Sequence, residues 1–195
     1  MRKLVVTHDE FMGWSDTLEM FYPLNIASNL RRYRLGENLP ADCVSSFEAF
    51  KAHLAEKGLT LNEVEYMPLY AYIHGDISFS LGEYGCYWDS GLAGYIWIEK
   101  KEYAEQFGYK RFTKKIRKRF EKDCENLVKS LNSDYYVVEL YDDNGEFVDS
   151  LGGVLMEYTD EKEVYQFAVD NFGIDDKEII IEFADYGKTE KYTAA

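Results

Sequence analysis

The sequence predicts an α+β fold, a mainly antiparallel sheet with helices packed on it. Three observations point there. The predicted elements run strand, helix, a block of strands, two helices, a hairpin, helix and strand, which is not the alternation of a doubly wound sheet. Segments with apolar residues at helical spacing carry their own caps, whereas other segments alternate at the period of a strand. Apolar residues make up 46% of 195 residues and only 3 are proline, enough for a core without long linkers.

Residues 3–7 read as a strand rich in β-branched Val5, Val6 and Thr7. Residues 11–30 are aromatic. Leu18–Phe21 is a strand candidate there, and Pro23 argues against one continuous helix. Residues 31–37 form a basic turn. Residues 45–57 are a helix: Ser45 and Glu48 suit a capping box, Phe47, Phe50 and Leu54 share a face, and Gly58 stops it. Strands are expected at 67–73 and 77–81, then at 92–99, where Tyr95 and Trp97 point one way and Ile96 and Ile98 the other.

A short helix is expected at 101–107. A longer one follows at 112–131, with Phe112, Ile116, Phe120, Cys124, Leu127 and Leu131 as its apolar stripe. Residues 135–141 and 146–156 read as a hairpin around Asn144-Gly145, with a bulge at Gly152-Gly153. A helix at 160–172, capped by Asp160 and stopped by Gly173, leads to a last strand at 177–185 and a tail expected to fray. The expected division is a main α+β domain at 1–133 and an acidic lobe of hairpin, helix and strand at 134–195, with one continuous domain as the alternative.

The formal net charge of −14 is unevenly spread. Residues 100–122 carry 10 basic and 3 acidic side chains, net +7, whereas residues 134–195 carry 4 and 17, net −13. A field of that size repels nucleic acid and favours basic partners. No apolar run reaches the roughly 18 residues of a membrane span, and the first nine residues lack the apolar core of a signal peptide. Cys43, Cys86 and Cys124 have no metal-type spacing and read as reduced thiols, so the expected location is cytoplasmic.

The most chemically dense stretch is Gly85-Cys86-Tyr87-Trp88-Asp89-Ser90-Gly91. With His74 nearby, Cys86 and Asp89 have the residue types of a thiol-dependent hydrolase or transferase: an imidazole can activate a thiol and a carboxylate can orient the imidazole. The plainer reading makes Trp88, Asp89, Ser90 and Gly91 a structural motif, with Trp88 anchoring the loop in the core and Asp89 and Ser90 bonding nearby backbone. Zinc is not expected, because one Cys and one His fall short of the usual ligand set, and no cofactor is implied. Asp142-Asp143-Asn144-Gly145-Glu146 lacks the spacing of a calcium loop and reads as a hairpin turn.

Two charged groups are further candidates. Lys110, Arg111, Lys114, Lys115, Arg117, Lys118, Arg119 and Lys122 flank the apolar stripe of the long helix. They fit either a phosphate-binding patch, which would make a nucleic-acid-binding module, or a solvated face paired with the acidic lobe. Glu157, Asp160, Glu161, Glu163, Asp170, Asp175, Asp176 and Glu178 form an acidic row able to imitate a phosphate backbone.

At Trp14-Ser15-Asp16, Arg32-Tyr33-Arg34-Leu35-Gly36-Glu37 and Cys86-Tyr87-Trp88-Asp89-Ser90-Gly91-Leu92-Ala93-Gly94, the chain resembles a family of uncharacterised proteins from phages and conjugative elements of gut Firmicutes. The resemblance covers about residues 14–155. Tyr87 stands where the family pattern has Pro, and Ile73-His74-Gly75 replaces its Asp-His-Ser. The resemblance implies a mobile-element accessory protein, a class whose genes often counter restriction enzymes or CRISPR nucleases. The combined expectation is an inhibitor, not an enzyme, whose partner is a host defence nuclease or its nucleic-acid complex. It would work by acidic mimicry in the host cytoplasm, with nucleic acid a second partner through the basic helix and no membrane contact.

Overall fold

The computed structural model describes residues 1–10, 12–86, 88–155 and 160–193. They form an α+β fold of two compact units, residues 13–132 and residues 1–12 with 133–195. The first strand, β1 (Lys3–His8), belongs to the second of these.

In the unit of residues 13–132, α1 (Trp14–Met20) leads to β2 (Asn25–Ser28), β3 (Glu37–Asn38), α2 (Ser46–Glu56), β4 (Val64–His74), β5 (Asp76–Ser80), β6 (Ser90–Glu99), α3 (Lys100–Gln106) and α4 (Lys114–Leu131). The sheet order is β3-β2-β6-β4-β5, antiparallel except for the β2–β3 pair. β6 is buried on both faces, so its alternation sorts two cores. Tyr95 and Trp97 meet α2, where Phe50 stacks on Tyr95 at 4.5 Å between centroids. Ile96 and Ile98 meet the stripe of Ile116, Phe120, Cys124 and Leu127 from α4. Burial pushes the Cys124 thiol well above its ordinary range, leaving it a small apolar filler. Gly94 is required by close approach, since a Cβ there would stand 2.1 Å from the Ala27 carbonyl oxygen across the β2–β6 pair.

Leu18–Phe21 is not a strand. The Asp16 carboxylate accepts the Gly13 N–H at 2.9 Å and starts α1, which carries Leu18 against the α4 core before Pro23. Helix α2 begins as its sequence indicates: the Ser45 hydroxyl accepts the Glu48 N–H at 3.2 Å.

In the other unit, β7 (Tyr136–Tyr141), β8 (Phe147–Val154), α5 (Glu161–Phe172), β9 (Glu178–Phe183) and β10 (Lys188–Thr193) complete a sheet of order β10-β9-β1-β7-β8. β1 runs antiparallel to β7 and parallel to β9, which draws the first twelve residues away from the expected 1–133 domain and into this unit. Two well-separated segments must meet across β1, and no local sequence pattern records such a pairing. One face of the sheet, with Leu4, Val6, Val138, Leu140, Ile181 and Phe183, packs against Val164 and Ala168 of α5. Residues 188–193 do not fray: they return as β10 beside β9, with Lys191 Nζ 2.6 Å from Glu178. The bulge falls at the predicted glycines, where Gly153 has φ +66° and its N–H donates to Asp9 Oδ2 at 2.8 Å.

Candidate functional site

Three groups of chemistry-bearing side chains need placing: the thiol loop, the basic helix and the acidic unit.

The loop between β5 and β6 brings Cys86, Asp89 and the end of β4 together. Asp89 Oδ2 lies 3.2 Å from His74 Nδ1 and 3.8 Å from Cys86 Sγ. The Ser90 hydroxyl donates to the Cys86 carbonyl and closes the turn. One carboxylate oxygen therefore sits between thiol and imidazole, and no hydrogen bond joins Cys86 to His74 among the described residues. A thiol activated by an imidazole needs direct contact between the two. His74 is exposed and stacks beside Tyr72, which also meets Tyr84. Trp88 does not anchor the loop in the core, contrary to the expectation. It is 90% exposed and lines an open groove of about 320 Å³ with Leu30, Ile73 and Leu92. The indole has to find a core to act as an anchor, and the apolar faces of the adjoining strands are already filled from α2 and α4.

Helix α4 starts at Thr113, whose hydroxyl accepts the Ile116 N–H at 3.4 Å. The cations of residues 110–122 divide into two sets. Arg117 forks onto both oxygens of Glu65 at 3.0 and 3.1 Å. Arg119 lies 3.7 Å from Asp123 and 3.7 Å above the Phe107 ring, Lys122 bonds Glu125, and Lys115 rests over Tyr109. Lys110, Arg111, Lys114 and Lys118 have no ion-pair partner among the described residues and point their charge to solvent. Counted over residues 13–132, 16 basic side chains face 17 acidic ones, so this unit is close to neutral.

Residues 1–12 with 133–195 carry 6 basic and 19 acidic side chains, net −13. Within the expected acidic row most groups are already engaged. Asp160 caps α5 by accepting from Lys162 and Glu163 N–H groups. Glu161 pairs with Lys188 at 2.8 Å, and that ammonium holds its carboxyl below the usual range. Asp176 pairs with Arg2, Glu178 with Lys191, and Asp170 accepts from Gln166. Glu163 also has a partner. Asp175 is exposed without an ion pair among the described residues, and Glu157 lies outside them.

The hairpin supplies anionic groups that the expected row omitted. Asp142 folds back on the turn, accepting from Asn144 and Glu146 N–H groups, which lowers its pKa. Asp143 meets the N-terminal amine at 2.9 Å, while Glu146 and Asp149 are exposed with no ion pair among the described residues. Beside them Phe147, Val148 and Leu151 are exposed at 57%, 54% and 39%. The adjacent apolar pair Phe147-Val148 in a strand bearing few other core residues was the available signal.

Among the described residues no group of three or more His, Cys, Asp or Glu side chains is arranged to hold a metal ion, and no helix is long and apolar enough to cross a membrane. Compared with known proteins, the chain matches no family model, no curated protein and no solved structure.

Proposed function

We propose that this chain is a mobile-element anti-defence protein that binds a host nuclease complex, of the restriction or CRISPR type, and blocks its access to nucleic acid. The observation that carries the reading is the segregation of charge: one compact unit holds net −13 while the other is close to neutral. A nuclease lines its nucleic-acid channel with Lys and Arg, and a carboxylate-rich body is complementary to that lining. The resemblance to phage and conjugative-element proteins at residues 14–155 supports the setting, and the place of action would be the host cytoplasm. Lys110, Arg111, Lys114 and Lys118, which have no ion-pair partner among the described residues, suit guide RNA or an acidic patch on the same complex.

Such an inhibitor acts by stoichiometric binding. Titrating the chain against a panel of restriction and RNA-guided nucleases should stop cleavage near one chain per complex, with the effect weakened by salt. Inhibition of none of them, at any ratio, overturns the reading. A second reading is favoured by the close approach of Cys86 and His74 to Asp89: a thiol-dependent hydrolase or transferase. It would act far below one molecule per target and fail with Cys86→Ala.

A further inference from the structure

The two sheets have four edges among the described strands, and three are protected. β3 is only two residues long. β5 is covered at Phe79, whose N–H and carbonyl both bond the side-chain amide of Asn132, at 2.6 and 2.7 Å. β10 carries Lys188 and Lys191. Short length, coverage and edge lysines are the usual means of stopping a sheet from pairing with another chain.

β8 has none of these. Its sequence, Phe147-Val-Asp-Ser-Leu-Gly-Gly-Val154, contains no Lys, Arg or Pro, and among the described residues its only strand neighbour is β7. Phe147, Val148 and Leu151 are exposed, and Glu146 and Asp149 stand beside them without ion pairs among the described residues. Irregularities at Val148 and at Gly152-Gly153 leave residues 149–151 as the regularly paired stretch, flanked by the exposed Phe147 and Val148.

We propose that the open edge of β8 is a docking strand that pairs with an extended, lysine- or arginine-bearing segment of a partner protein. Main-chain hydrogen bonds to a free edge give affinity, and alternating side chains give selectivity. Charge complementarity chooses the occupant. A second copy would bring another unit of net −13 against the first, whereas a basic segment meets Glu146 and Asp149 with opposite charge. This inference rests on the partner-binding reading above and names its contact.

The probe is a synthetic peptide of alternating Lys and Val, seven residues long, added to the full chain at low salt. Amide exchange should slow at Val148–Leu151, and a peptide of the same charge N-methylated at alternate residues should bind at least tenfold more weakly. Glu146→Lys with Asp149→Lys should weaken the parent peptide at least tenfold while far-UV circular dichroism is unchanged. No binding, equal binding of the methylated peptide, protection centred on another element, or a chain already dimeric through residues 147–151 each overturns the proposal. The two readings fail separately. Nuclease inhibition that survives the double reversal discards the docking strand alone, whereas a parent chain that inhibits no nuclease discards the function and leaves peptide pairing standing.

Discussion

The two units solve the same problem, covering a five-stranded sheet, with different thoroughness. In residues 13–132 the sheet is clothed on both faces, by α2 on one and by α1, α3 and α4 on the other, and its charges nearly cancel. In residues 1–12 with 133–195 one helix covers one face, charge accumulates to −13, and an apolar edge strand is left open. Unbalanced charge costs stability of the compact state through self-repulsion, and an unprotected edge invites pairing with other chains. Their coincidence in one unit supports the proposal that this unit is the working surface and the other the scaffold.

The contrast can be broken most forcefully at the scaffold core. Phe120→Ala removes a fully buried ring between α4 and the sheet and should lower the unfolding free energy by about 3–5 kcal/mol, read from urea denaturation. Next comes the open hairpin. Glu146→Lys with Asp149→Lys should weaken nuclease inhibition at least tenfold, about 1.4 kcal/mol, with an unchanged urea midpoint. Equal loss from Lys110→Glu with Lys114→Glu would move the working surface to the basic helix. Asp160→Ala should cost about 1 kcal/mol through loss of the α5 cap. Inhibition at matched folded fraction should hold, because that carboxylate is spent on backbone N–H groups.

A smaller effect follows from His53. It is buried beside Trp97, with Nε2 2.9 Å from Glu37, and burial holds its pKa below the ordinary value although Glu37 pulls the other way. The folded state therefore favours neutral His53. As pH falls below about 6.5 the unfolded chain takes up a proton that the folded chain resists, so stability present above that pH is lost. The urea midpoint should decline from pH 7 towards pH 5, and His53→Gln should flatten that decline. Smallest of all, Cys86→Ala should leave inhibition unchanged.

Much of the fold is legible in the sequence because it is local. The Ser45 cap, the stripe from Ile116 to Leu131, the opposed faces of Tyr95 and Ile96 and the glycine bulge at 152–153 are each written within a few residues. What was hidden is non-local. β1 is claimed by β7 and β9 through pairings that span most of the chain, and β10 exists only because β9 offers an edge. The site divides in the same way. The nearness of Cys86, His74 and Asp89 was readable from loop spacing, but the carboxylate's place between the other two was not. The acidic row was readable as composition. Which carboxylates are spent on Lys188, Arg2 and Lys191 depends on partners brought by the fold.

The acidic unit is proposed to act by occupying a partner. The most direct test is a titration of nuclease cleavage with the full chain, beside Glu146→Lys/Asp149→Lys and Cys86→Ala. An end point near one chain per complex is expected for the parent and for Cys86→Ala, and at least a tenfold weaker effect for the double reversal. Cleavage abolished at a small fraction of one chain per complex, retained by the double reversal and lost with Cys86→Ala, would contradict the proposal.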